Sequence, residues 1–409
     1  MRKLFINLIV LLCHLGYASM YLNTARIAYY TQNDFERAKK ACLQGIAKGE
    51  RNFELYAILS GSEIGLANWK EASTALVNAF AVDSSQTIDW IMDKGGGGKY
   101  FYQAFYFTTR SQFDAGQYDE ALENLRYAEL LDPTDMRTYV LRGAIFYKLD
   151  RKEEANNEYN KVLDLDPENP DVHFLIGKSL FESKEYDSSL TYFDNAVMYY
   201  KPQYKRSSIV LFHNLPEVEK TTTQAIIRLW SEQKMDELDQ LLKTDLKLEQ
   251  GLDVHIRNVE QLFRISNDLA RSYYYEGMAY YNMKEDSLAL QNLLKSLELK
   301  PDDLDALYFA GETLVKMKQY QNAAGFFERL SQLKSDDLYA WFYLGVCYTQ
   351  LKQYKKAIDV YENKVLQLDP ENIDTMTNLA FVYSELGNNK KSFEYLQRAE
   401  ELQKKNKSK

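Results

Sequence analysis

LYAWFYLGVCYTQLKQYKKAIDVYENKVLQLDP, residues 338–370, contains one complete structural unit. Trp341, Leu344, Gly345 and Tyr348 fall at helical spacing in its first half, and Tyr354, Ala357, Tyr361 and Val365 do so in its second. Intervals of three and four residues gather each set on one stripe of a helix. Lys352-Gln353 breaks the two stripes, and Pro370, which cannot extend the helical hydrogen-bond ladder, ends the unit. Gly345 and Ala357 take the positions where two antiparallel helices approach most closely. Aromatic residues fill the wider gaps on either side.

The same pattern returns at a fixed step. Gly277, Gly311 and Gly345 are 34 residues apart, and Ala289, Ala323 and Ala357 follow them by twelve. Such a period describes an array of two-helix units, each packing on its neighbours without one large central core. The 409 residues therefore need not be divided by the length of an average domain. With 45% hydrophobic and 27% charged residues the chain reads as folded, and seven prolines leave room for many helices.

These positions resemble the tetratricopeptide repeat family, whose units carry a large then a small residue in the first helix, small residues in the second, and a closing proline. The pattern runs through Gly143, Ala155 and Pro167, then Gly177, Ser189 and Ala196, and resumes as Gly277, Ala289 and Pro301. Gly311 with Ala323 and Gly345 with Ala357 continue it, while Ala121, Ala128 and Pro133 mark a unit beginning near Tyr102. Weaker units hold Ala72 with Ala79 and Ala38 behind Phe35; a last one holds Tyr383, Gly387, Leu396 and Ala399, with Ser392 in place of alanine. The resemblance implies an all-α, right-handed superhelical solenoid of antiparallel helix pairs. It divides the chain into degenerate repeats at 19–85, a Gly-rich insertion at 86–101, repeats at 102–203, an irregular segment at 204–269 and repeats at 270–406.

Two places break the frame. Gly177 and Gly277 are 100 residues apart, two short of three periods, so 204–269 reads either as degenerate repeats or as a joint between two arrays. Gly95-Gly96-Gly97-Gly98 reads as a flexible connection. Gly98-Lys99 is no phosphate loop, because Tyr100 replaces the required Ser or Thr and Asp93 the first glycine.

Residues 1–18 stand outside the array. Arg2 and Lys3, the apolar run Leu4 to Leu12, and Gly16-Tyr17-Ala18 have the layout of a cleaved secretory signal peptide, not of an integral membrane span. Leu11 and Leu12 before Cys13 are too bulky for the usual lipoprotein box, so plain export is favoured over a lipid anchor. Removing residues 1–18 leaves a net charge of −11, which argues against a nucleic-acid partner. Cys42 and Cys347, about 300 residues apart, read as buried free thiols.

No constellation for catalysis stands out. His173, His213 and His255 lack a second His or Cys at ligand spacing, and His173 takes a packing position, so no metal or cofactor is implied. Acidic pairs such as Asp302-Asp303 and Glu400-Glu401 fall in turns and on solvated faces.

The resemblance directs attention to the first helix of each repeat, whose residues flanking the small position line the concave face. Those residues are Tyr106 and Arg110; Phe174, Lys178 and Phe181; Tyr274, Met278 and Tyr281; Tyr308 and Glu312; and Tyr339, Phe342 and Val346. An aromatic groove of this kind suits a protein or peptide segment with apolar anchors. The lysine-and-asparagine clamp that some members use on a C-terminal carboxylate is absent at these positions. The chain is expected to be a non-catalytic scaffold or adaptor of the cell envelope, with a membrane-associated complex among its expected settings. The alternatives are an assembly factor for an envelope or secretion complex, a surface or periplasmic ligand-capture protein, or an enzyme with its site in 204–269.

Overall fold

The structure, a computed structural model, describes residues 19–211, 220–245 and 251–407. Every regular element among them is helical. The chain divides after Pro167 into two compact units.

Unit 1 contains α1 (Met20–Arg26, continued by a π turn Ile27–Gln32), α2 (Phe35–Ala47), α3 (Phe53–Gly65) and α4 (Trp69–Val82). It continues with α5 (Ser84–Asp93), α6 (Gly98–Asp114), α7 (Tyr118–Leu131), α8 (Met136–Lys148) and α9 (Lys152–Leu165). Pairs form between α1 and α2, α3 and α4, α6 and α7, and α8 and α9.

Unit 2 begins with α10 (Pro170–Glu182), α11 (Tyr186–Leu211), α12 (Lys220–Ser231) and α13 (Met235–Gln240, continued by a π turn Leu241–Asp245). There follow α14 (Gly251–Asn282), α15 (Asp286–Leu299), α16 (Leu304–Lys316), α17 (Tyr320–Leu333) and α18 (Leu338–Gln350). The remaining helices are α19 (Tyr354–Val360, running on through a π turn Tyr361–Val365), α20 (Ile373–Glu385) and α21 (Asn389–Lys407). Here α10 pairs with α11, α14 with α15, α16 with α17, α18 with α19 and α20 with α21.

Local chemistry accounts for the pairs. Asp303, Asp337 and Asn372 cap α16, α18 and α20, their side chains accepting the backbone N–H groups of Ala306, Ala340 and Thr375. The turn inside each pair uses a left-handed residue, as at Lys284, Lys318 and Lys352, with φ between 58° and 65°. The repeat glycines serve close approach. A Cβ on Gly143 would lie 2.3 Å from the Tyr159 ring, and one on Gly345 equally close to the Tyr361 ring. In each case the ring sixteen residues on lies against the bare backbone of its partner helix.

The glycine-rich segment corrects the expectation of a flexible connection. Residues 86–101 belong mostly to α5 and α6, with a tight turn between them. Trp90 and Ile91 anchor α5 in the core. Gly96 and Gly97 adopt φ of 99° and 89°, which turns the chain, while a Cβ on Gly95 would meet the rings of Trp90 and Phe101 at 2.9 Å. Confinement, rather than freedom, selects glycine here. The run read as 102–203 is also cut by the division after Pro167.

In the described part of 204–269, α12 and α13 form a pair whose Ile226, Leu229, Leu238 and Leu242 pack with Val259 and Leu262 of α14. The flanking α11 and α14, at 26 and 32 residues, are about twice a repeat helix, and this length absorbs the slip in register. His213 and residues 1–18, including Cys13, lie outside the described residues. Cys42 and Cys347 are buried free thiols, and burial pushes both up to about 12.

Glu276 is an anomaly in this core. It stands immediately before Gly277, where other repeats place Ile176 and Leu344, and is 4% exposed with Oε1 unpartnered among the described residues. Burial and then the negative charge of Asp194 push its carboxyl up to about 8, against the opposing charges of Lys295 and Lys201. The folded state therefore holds a proton that the unfolded chain has already released. Stability falls as pH rises from about 4.5, the usual glutamate value, to about 8, by at most about 1.4 kcal/mol per pH unit. Glu276→Gln is expected to raise the melting temperature at pH about 8.5 and leave it nearly unchanged near pH 5. Thermal unfolding at the two pH values checks this; an equal shift at both would refute it.

Candidate functional site

The first helices of three consecutive pairs in unit 2, the C-terminal half of α14 with α16 and α18, bring a band of aromatic residues together. Tyr281 meets Phe309 at 5.4 Å between ring centroids, and Tyr308 meets Tyr343 at 5.9 Å and Tyr339 at 6.4 Å. Tyr274 reaches Phe309 at 6.4 Å, and Phe342 lies 5.6 Å from Tyr343. Most of these rings are half-buried, but Tyr339 is 63% exposed. Tyr274, Tyr308, Phe309, Phe342 and Tyr343 pack against the repeat core behind them.

One carboxylate organises the middle of the band. Burial raises the phenol pKa of Tyr281, and hydrogen bonding to Glu312 together with its negative charge raises it further. Burial comes first at Tyr308 and Tyr343 as well, followed by the charge of Glu312. All three phenols thus stay protonated as donors in neutral solution. Lys316 Nζ lies 3.4 Å from the centroid of the Tyr281 ring, a cation–π contact within the band.

The sequence-derived positions divide into three groups. Tyr274, Met278, Tyr281, Tyr308, Glu312, Tyr339, Phe342 and Val346 lie on α14, α16 and α18, within or beside the band. Phe181 is half-buried and edge-on to Tyr186 and Tyr275, while Lys178 pairs with Glu182 of its own helix at 3.7 Å. Tyr106 and Arg110 belong to unit 1. There Tyr106 stacks on Tyr102 at 5.7 Å beneath the Arg137 guanidinium, and Arg110 faces Asp114 at 3.8 Å.

Phe174 is a correction. It is only 4% exposed, closed over by Phe193, Tyr275 and the Arg271 guanidinium, and offers no free ring to a partner. Sequence reasoning missed Phe309, Tyr343 and Lys316. Phe309 and Tyr343 each adjoin a chosen ring, and Lys316 stands one helical turn after Glu312.

Among the described residues, no group of three His, Cys, Asp or Glu side chains could hold a metal ion, and no helix is long and apolar enough to cross a membrane. In unit 1 a solvated groove of about 620 Å³ lies between α4, α6 and α7, lined by polar groups that include Ser73, Thr108, Gln112 and Asn124.

Comparison with known proteins finds repeat models along part of the chain. Residues 151–184 match a TPR repeat model, 270–303 a tetratricopeptide repeat model, and 316–399 a model described as anaphase-promoting complex, cyclosome, subunit 3. The chain carries tetratricopeptide repeats in these stretches. It is 22% identical over 169 residues to the TPR repeat-containing protein MJ1428 of Methanocaldococcus jannaschii, a match covering 41% of this chain and 26% of that protein. Among solved structures it is similar to Pseudomonas aeruginosa PilF, with 15% identity and a TM-score of 0.44 over 69% of this chain and 97% of that one. It is also similar to YrrB, described as a TPR protein with an unusual peptide-binding site, with 18% identity and a TM-score of 0.41 over 60% and 92% of the respective chains.

Proposed function

We propose that this protein is a non-catalytic scaffold or adaptor that docks a segment of a partner protein in the aromatic groove of α14, α16 and α18. The observation that carries this reading is the convergence of Tyr274, Tyr281, Tyr308, Tyr339 and Phe342 in one band, with Tyr274, Tyr308 and Phe342 packed against the repeat core and Tyr339 exposed. A preformed surface of rings loses little entropy on binding, and large aromatic side chains dominate the energy of protein interfaces.

The proposed setting is the cell envelope after export, supported by the basic start and apolar run of residues 1–18. Amino-terminal sequencing of the protein from its native cells tests that part, and an intact Met1 would overturn it.

Docking is tested by affinity isolation from native cell envelopes, comparing the wild type with a Tyr274→Ala, Tyr281→Ala and Phe342→Ala triple variant. Circular dichroism should show the variant equally helical, while its affinity for the recovered partner should fall roughly a hundredfold or more. A partner held equally by both would remove the groove from the function.

A further inference from the structure

The groove contains a charge that its own residues leave uncompensated. Glu312 is half-buried among the Tyr281, Tyr308 and Tyr343 phenols, yet no lysine or arginine among the described residues forms an ion pair with it. Lys316, one turn away, is engaged with the Tyr281 ring instead. Asp305, exposed at the start of α16, adds further negative charge beside Tyr274. A carboxylate removed partly from water and ringed by phenols favours a cation, and the same rings present negative faces to one. Lys316 over Tyr281 already displays this chemistry within the chain.

We infer that the wall formed by Tyr281, Tyr308, Tyr343 and Glu312, with Tyr339 at its mouth, receives an arginine or lysine side chain of the docked partner segment. This rests on the docking reading above and specifies it: apolar anchors enter between the rings, and a cationic side chain lies against Glu312. The groove therefore selects basic-apolar segments and rejects acidic ones by repulsion. Lys316 limits the affinity, because it covers one aromatic face and repels a second cation.

The test is selection of a displayed library of random peptides on the full chain, followed by synthesis of the best binder with each arginine replaced by the neutral isostere citrulline. Selected peptides should carry Arg or Lys beside apolar anchors. The decisive citrulline replacement should weaken binding to the wild type about tenfold, and binding to Glu312→Gln hardly at all. Lys316→Ala should shift affinity the other way and tighten the basic peptide. Melting temperatures matching the wild type would show that both variants are folded.

Peptides that need Tyr281 and Phe342 but show no preference for arginine over citrulline would overturn this inference and leave the docking function standing. Failure to select any peptide, or binding indifferent to the aromatic triple variant, would overturn both. Self-association that vanishes in Glu312→Gln would give the site to a second copy of the chain and would also overturn it.

Discussion

Gly98→Ala is expected to destabilise unit 1 by about 3 kcal/mol, the largest effect of a single added methyl in the glycine run. Gly98 is the first residue of α6, and a Cβ placed there would lie 2.1 Å from the carbonyl oxygen of Leu131, the last residue of α7. The obstacle is backbone at a helix end, so no rotamer change relieves it; the two ends must separate, loosening Phe101 and Phe105 in the core behind them. Gly97→Ala provides the control. Its Cβ would meet nothing within 4 Å, and its cost of about 1–2 kcal/mol comes only from holding alanine at φ 89°. With Trp230 and Trp341 changed to Phe, the fluorescence of Trp69 and Trp90 reports unit 1 during urea unfolding. Equal midpoints for Gly98→Ala and Gly97→Ala would show that the close approach is not what glycine provides there.

That contrast marks what a sequence can reveal about this fold. The 34-residue step was legible because each pair satisfies the same local requirement, a small residue on one helix facing a large one on the other, as at Gly345 and Tyr361. The glycine run misled because glycine serves freedom and confinement alike, and only the position of Leu131, a distant residue, decides between them. The same reasoning applies to Phe174 and Tyr308. Both occupy groove positions in their repeats, but the long α14 brings Tyr275 and Arg271 onto Phe174, while Tyr308 remains half-buried. Repeat register identifies which residues can face outward. Coverage depends on the neighbouring helix, and the register slip before α14 places that beyond local pattern.

Arg142→Met is expected to destabilise unit 1 by about 3–5 kcal/mol, although methionine fits the apolar role that this position has in other repeats. Arg142 precedes Gly143 as Leu344 precedes Gly345, and it is 8% exposed. Its guanidinium donates to Glu158 at 3.1 Å, to Glu129 at 2.7 Å and to the Leu125 carbonyl at 3.0 Å, tying α8 to both α7 and α9. Methionine would fill the space but leave Glu158, 7% exposed, facing Lys161 at 2.7 Å without its buried guanidinium. Most of the loss thus comes from the stranded carboxylate, not from the missing arginine. A double variant, Arg142→Met with Glu158→Gln, should recover at least half of the lost stability, and the tryptophan-reported urea transition measures both steps of the cycle. If the double variant is as unstable as the sum of the singles, the pair is not coupled and the cost lies in packing. Glu276 occupies the equivalent place in its own repeat with no arginine paired to it among the described residues, and burial beside Asp194 leaves its carboxyl protonated instead. One repeat position therefore holds charge by pairing in unit 1 and avoids it by protonation in unit 2.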